Sequence, residues 1–109
     1  MNQAIECENF NDENGNPAGG RVKGVGIHIF WQNGPLGRGE ERSKPNGAFV
    51  EGVINAAMQR IDYYQKACGG KFMCPENALA AKLLEEALYW LDYRTKDREK
   101  RGVEGTHKT

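Results

Sequence analysis

Two arginines and a threonine share one side of a predicted helix and could bind an anion. Arg94, Thr95 and Arg98 lie at positions i, i+1 and i+4 within residues 74–101, CPENALAAKLLEEALYWLDYRTKDREKR. Residues at this spacing lie on one side of a helix, and the planar fork of arginine matches phosphate oxygens. The alternative is that cations near a helix C-terminus only complement the helix dipole. Spacing alone favours this alternative, because charge runs are usually solvated faces.

An aromatic ring and an amide form a second candidate site. Tyr64 lies near the end of a predicted first helix, close in sequence to a glycine-rich turn and to Asn77. An aromatic face can stack on a nucleic-acid base, and asparagine can pair with an adenine edge. Aromatic residues on helices are more often core or interface residues, so this pairing is a weak signal. Arg42, in a loop rich in glycine, could also reach an anionic ligand.

The pattern around these residues predicts two helices joined by a short connection. Pro75 suits the first position of the second helix, and Gly102 supplies its stop. A first helix is predicted over residues 48–66, and the glycines in the connection over residues 67–71 predict an antiparallel αα-hairpin. The second helix carries leucines at spacings of three and four, which predict one apolar stripe: Leu79, Leu83, Leu84, Leu88 and Leu91.

The N-terminal part of the chain predicts a small antiparallel sheet. Residues 4–9 form a short candidate strand, and residues 21–32 alternate as one longer strand, so a hairpin is the simplest arrangement. Residues 33–47 are punctuated by Gly, Pro and Asn and predict a loop. The predicted class is α+β: a sheet and loop over residues 1–47, then a helical hairpin and tail over residues 48–109, in one domain.

Composition excludes several function classes. The 15 basic and 15 acidic residues balance, which argues against a general nucleic-acid binder. No apolar run is long enough to span a bilayer, and we expect neither a signal peptide nor membrane association. The three cysteines are an odd number without a CxxC motif, so we expect a reduced, cytosolic protein without disulfides or zinc. The hydrophobic content of 39% is low for a small monomer, so partner subunits are expected to complete the core.

Catalysis has little support in the sequence. We find no nucleophile–base pair, no metal-ligand spacing and no paired carboxylates with a functional signature. Glu85 and Glu86 are explained by a charged helix face. We therefore expect no catalytic residues, no metal and no cofactor. An enzyme that hydrolyses a nucleotide signal and a small nucleic-acid-binding hairpin remain as alternatives.

The chain resembles a family of phage proteins in several motifs. The segments WQNGPLGRGEER, PNGAFVE, CPENALA, LEEALYWL and RTKDREKRGVEGTH are similar to those of phage Thoeris anti-defence proteins, and the resemblance extends from Gly19 to His107. These proteins share a helical hairpin with the anti-CBASS cyclic-nucleotide sponges. The resemblance implies a hexamer in the cytoplasm of the infected bacterium. It also implies sequestration, without cleavage, of glycocyclic ADP-ribose and of cyclic di- or trinucleotides.

The resemblance also implies which residues bind the ligand. Arg42 matches the family's loop arginine, and Asn77 matches the asparagine of its EN motif. Tyr64 and Gln65 match a pair that many members have as FQ. Because the connection KACGGKF is longer than in the family, Tyr64 and Phe72 are both candidates for the aromatic plate. The RTxxR motif is matched by the three residues of the helix end, Arg94, Thr95 and Arg98.

Overall fold

The computed structural model describes residues 4–109 and divides them into two compact units. The sheet unit comprises the described residues up to Phe49 together with Glu99–Thr109, and the helical unit is Val50–Arg98. A three-stranded antiparallel sheet is followed by two helices, so the predicted α+β class is confirmed. One domain over residues 1–109 stays a prediction. The elements are β1 (Ile5–Asn11), β2 (Pro17–Gly24), β3 (Ile27–Trp31), a 3-10 helix (Gly39–Glu41), α1 (Val50–Gly70) and α2 (Pro75–Lys100).

The sheet is built from two consecutive hairpins with β2 in the centre. The predicted hairpin between the first two strand segments is confirmed, with Ile5 of β1 opposite Gly24 of β2. One continuous strand over residues 21–32 is a wrong prediction, because the chain turns at Val25 and Gly26 and returns as β3. Gly26 adopts a φ of 74°, a left-handed conformation that glycine accepts without a steric penalty.

Very little of the chain is buried. Within residues 4–109, Gly20 on β2 is the one buried residue, and no hydrophobic side chain is buried. A Cβ added to Gly20 would lie 2.5 Å from the backbone oxygen of Glu8 on β1, so this glycine permits the close approach of the two strands. Each unit is therefore formed without an enclosed hydrophobic core.

The loop predicted between sheet and helices is present and is closed at its neck by amide side chains. The backbone N–H of Asn33 donates to Oδ1 of Asn46 at 2.8 Å, and Nδ2 of Asn46 donates to the Asn33 carbonyl at 3.0 Å. After the neck, the backbone of Ala48 pairs with the end of β3: its N–H donates to the Phe30 carbonyl, and its carbonyl accepts from Gln32. The loop therefore leaves and rejoins the same edge of the sheet.

The helices agree with the predicted boundaries. Helical backbone of α1 ends at Lys66, because Ala67 is extended and Cys68 and Gly69 have left-handed φ values of 52° and 66°. The second helix starts at Pro75, as predicted, and Gly102 follows its end with a φ of 75°. Within residues 4–109, no helix is long and apolar enough to cross a membrane.

The leucines of α2 do not form the single stripe that their spacing predicted. Leu84, Leu88 and Leu91 are half-buried, whereas Leu79 and Leu83 are 58% and 57% exposed. Adjacent helix positions differ by about 100° around the axis, so Leu83 and Leu84 lie on different faces. The exposed face continues to three aromatic residues in edge-to-face contact, Tyr89, Trp90 and Tyr93.

Candidate functional site

A groove of about 490 Å³ lies beside the turn of the helical unit. Its size is within the range of ligand pockets, about 300–1,000 Å³. The structure brings together Tyr64, Phe72 and Asn77, which are the two candidate aromatic plates and the candidate amide. The complete lining is Arg60, Tyr63, Tyr64, Ala67, Cys68, Phe72 and Asn77.

The carboxamide of Gln65 fixes the chain around this groove. Its Nε2 donates to the carbonyl of Cys74, and its Oε1 accepts from the N–H of Cys74, both at 3.0 Å. These two bonds close the connection between the last regular turn of α1 and the start of α2. Tyr64 is the neighbour of Gln65, and Asn77 lies in the first turn of α2, so the clamp sets their separation. The sequence reasoning did not assign a role to Gln65 beyond its motif.

The groove also contains a cation that the sequence reasoning missed. The guanidinium carbon of Arg60 lies 4.7 Å from the ring centroid of Tyr64 and 5.0 Å from that of Tyr63. One of its nitrogens donates to the Tyr64 hydroxyl at 3.1 Å. Arg60 precedes Tyr64 by four residues, one helical turn, and this spacing is the signal that could have identified it. Base-stacking, hydrogen-bonding and cationic groups therefore meet in one groove.

The predicted anion site at the end of α2 has its three residues in one helical segment. The Thr95 hydroxyl donates to the Leu91 carbonyl at 3.2 Å, so this side chain bonds back to its own helix. Arg94 is exposed, and Arg98 is half-buried. All three residues belong to the helical unit, as do Tyr64 and Asn77, whereas Arg42 belongs to the sheet unit.

The guanidinium of Arg42 is already occupied within its own unit. Two of its nitrogens donate to the two carboxylate oxygens of Glu104, at 2.7 and 3.0 Å, in a bidentate pair. The hydrogen bond to Glu104 is the main reason that the pKa of Arg42 is raised, and the negative charge of Glu99 adds to it. Arg38 donates to the Glu104 backbone carbonyl. Arg42 therefore joins the loop to the C-terminal segment, and its role as a ligand residue stays a prediction.

Within residues 4–109, no group of three His, Cys, Asp or Glu side chains could hold a metal ion. Cys68 lines the groove and is exposed. The arrangement is suited to binding a flat, anionic ligand.

Comparison with known proteins gives one informative match. No protein-family profile matches the chain. A segment of 62 residues is 50% identical to a protein of Bacillus phage SBSphiJ7 named "Thoeris anti-defense 1". This chain is similar to a phage Thoeris anti-defence protein. The similarity covers 57% of this chain and 42% of the phage protein, so the chain spans less than half of its relative's length. It supports the resemblance carried by the sequence motifs.

The Arg42–Glu104 pair generates a structural prediction. Replacing Glu104 with Gln should raise the hydrogen-exchange rate of the Gly37 amide several-fold, because that amide donates to the carbonyl of Gly105 at 2.8 Å, next to Glu104. Exchange would be followed by mass spectrometry or NMR. Glu99→Gln is the matched control, since it removes a nearby charge but no hydrogen bond to Arg42. An unchanged Gly37 rate in Glu104→Gln would show that the pair does not hold the C-terminal segment.

Proposed function

We propose that this protein is a phage anti-defence sponge that binds cyclic nucleotide immune signals in the cytoplasm of the infected bacterium and sequesters them without cleavage. The principal ligand is glycocyclic ADP-ribose, the Thoeris signal implied by the family resemblance. Cyclic di- and trinucleotides of CBASS are further ligands. The observation that carries this proposal is the groove in which an aromatic pair, an amide and a guanidinium lie together.

The chemistry of the groove fits one end of such a ligand. Adenine is flat and apolar on its faces and carries hydrogen-bonding groups on its edge. Tyr64 or Phe72 supplies the stacking surface, which contributes about 1–3 kcal/mol per base in known complexes. The amide of Asn77 can pair with the adenine edge. The similarity to a phage protein named "Thoeris anti-defense 1" supports the anti-defence part of the proposal.

A second site at the end of α2 would bind a cyclic nucleotide that carries several phosphates. Arg94, Thr95 and Arg98 share one side of the helix over little more than one turn. Guanidinium groups from neighbouring subunits, gathered around a symmetry axis, would repel one another until an anion bound. Such a site favours ligands that carry several phosphates, and each charged hydrogen bond contributes about 1.5–3 kcal/mol.

Partner copies of the chain are part of this proposal. No hydrophobic side chain is buried within residues 4–109, and the face of α2 with Tyr89, Trp90 and Tyr93 is open to solvent. Contiguous apolar patches of this kind on a folded chain commonly mark an interface. A second copy that covers this face would supply the missing core, and a hexamer is the assembly that the family resemblance implies.

Light scattering coupled to size-exclusion chromatography tests the assembly. We expect a particle of six times the 12.2 kDa chain mass. Trp90→Glu should shift it to smaller species, because a carboxylate in an apolar interface loses its hydration. Lys82→Glu, also on α2 but on an already charged position, is the control. A wild-type particle of 12 kDa would contradict this part of the proposal.

Calorimetry with two ligands tests the two sites. Tyr64→Ala should weaken the binding of glycocyclic ADP-ribose by about 1–3 kcal/mol, because a stacking surface is lost. Arg98→Ala should abolish binding of a cyclic trinucleotide but spare most of the affinity for glycocyclic ADP-ribose. Each variant is the control for the other, and preloading one ligand should leave the second titration unchanged.

Equal losses for both ligands in both variants, or competition between the ligands, would contradict the two-site model. Unchanged binding of glycocyclic ADP-ribose by Tyr64→Ala would assign the aromatic plate to Phe72. An oligonucleotide retarded by the protein in a gel would favour the nucleic-acid-binding alternative.

A further inference from the structure

We propose that Arg60 binds a phosphate of the ligand whose base occupies the groove, so that the groove takes a phosphorylated purine nucleoside as one unit. This inference rests on the proposed function and adds to it a residue and a minimal ligand class. It differs from the assignment implied by the family resemblance, in which the loop arginine Arg42 is the ligand-binding arginine outside the RTxxR motif.

The guanidinium of Arg60 is held in place before any ligand arrives. It stacks over the rings of Tyr63 and Tyr64, with its carbon 5.0 and 4.7 Å from the two centroids. Its hydrogen bond to the Tyr64 hydroxyl uses one of the five N–H donors of the side chain. Preorganisation of this kind lowers the entropy that would be lost when a phosphate binds.

The charge of Arg60 is not neutralised by the protein. Within residues 4–109, Arg21 pairs with Glu8 and Arg42 pairs with Glu104, but no carboxylate lies within ion-pair distance of Arg60. An arginine that is already paired must give up its carboxylate before it can bind a phosphate, whereas Arg60 needs no such exchange. Arg60 is therefore the better suited of these three arginines to bind an added anion.

The position of Arg60 matches the shape of a nucleotide. It lies one helical turn before Tyr64, about 5–6 Å along the helix axis. In a nucleotide the 5′-phosphate is separated from the base by the ribose, so the cation need not contact the base. Because the Arg60 guanidinium lies over one face of the Tyr64 ring, the base would stack on the other face of that ring or on Phe72. A purine on the ring of Tyr64 or Phe72 with its edge at Asn77 would thus place its phosphate toward the N-terminal side of α1.

A simpler explanation is that Arg60 only supports the ring of Tyr64. Arginine and tyrosine four residues apart on a helix commonly contact each other without any ligand. The two explanations differ in one measurable respect. A supporting role affects every ligand that stacks on the ring, whereas a phosphate contact affects only ligands with a phosphate.

Calorimetry of the full chain with adenosine, adenosine 5′-monophosphate and glycocyclic ADP-ribose separates them. Arg60→Gln should lower the affinity for adenosine 5′-monophosphate and for glycocyclic ADP-ribose by roughly tenfold or more, as expected for loss of a charged hydrogen bond. Adenosine affinity should change by no more than about twofold, since its stacking surface remains. Lys66→Gln is the matched control: it removes one positive charge from the same helix, outside the groove, and should leave all three affinities unchanged.

Three results would overturn the inference. Arg60→Gln could lower the affinity for adenosine as much as that for adenosine 5′-monophosphate, which would show that Arg60 only supports the ring of Tyr64. The Arg60→Gln variant could bind all three ligands as the wild type does. Alternatively, the wild type could bind glycocyclic ADP-ribose but neither adenosine nor adenosine 5′-monophosphate. In these cases the proposed function stands. A wild-type protein that binds none of the three ligands contradicts both the inference and the proposed function for the ADP-ribose signal.

Discussion

The scarcity of buried side chains is the constraint on which the structure depends. With Gly20 as the one buried residue among 4–109, hydrophobic burial within the chain cannot be what fixes the positions of loops and turns. Paired hydrogen bonds fix them instead. Asn33 and Asn46 close the neck of the loop, and Gln65 closes the turn between the helices through Cys74. Amide pairs suit this task because one carboxamide both donates and accepts.

The same constraint explains how the arginines are divided between tasks. Arg42 is committed to Glu104 and thereby attaches the C-terminal segment to the loop. Arg60 is stacked on two tyrosine rings with no carboxylate beside it, within the part of the chain that the structure describes. Because the net charge is zero, we expect no general attraction between the chain and polyanions. In the proposed function, selectivity for a particular anion comes from individual guanidinium groups placed next to a stacking surface.

Sequence predicted the helices well and the sheet less well, for physical reasons. Pro75 and Gly102 are strong local signals for the start and the end of a helix. As expected, α2 begins at Pro75, and Gly102 follows its end. The alternation over residues 21–32 predicts one strand, because a two-residue turn at Val25 and Gly26 leaves the alternating pattern almost uninterrupted. The sequence itself indicates Tyr64 and Asn77 as candidate site residues, whereas it does not rank Arg60 above the other arginines. The reason is that ion pairing depends on the folded positions of carboxylates such as Glu104.

The most direct test of sequestration without cleavage is the recovery of the ligand itself. The protein would be incubated with glycocyclic ADP-ribose, separated from free ligand and denatured, and the released material would be analysed by chromatography and mass spectrometry. We expect the intact cyclic ligand, in an amount proportional to the protein and stable over hours of incubation. Recovery of a hydrolysed, linear product would identify an enzyme and contradict the proposed function, as would the absence of any retained nucleotide.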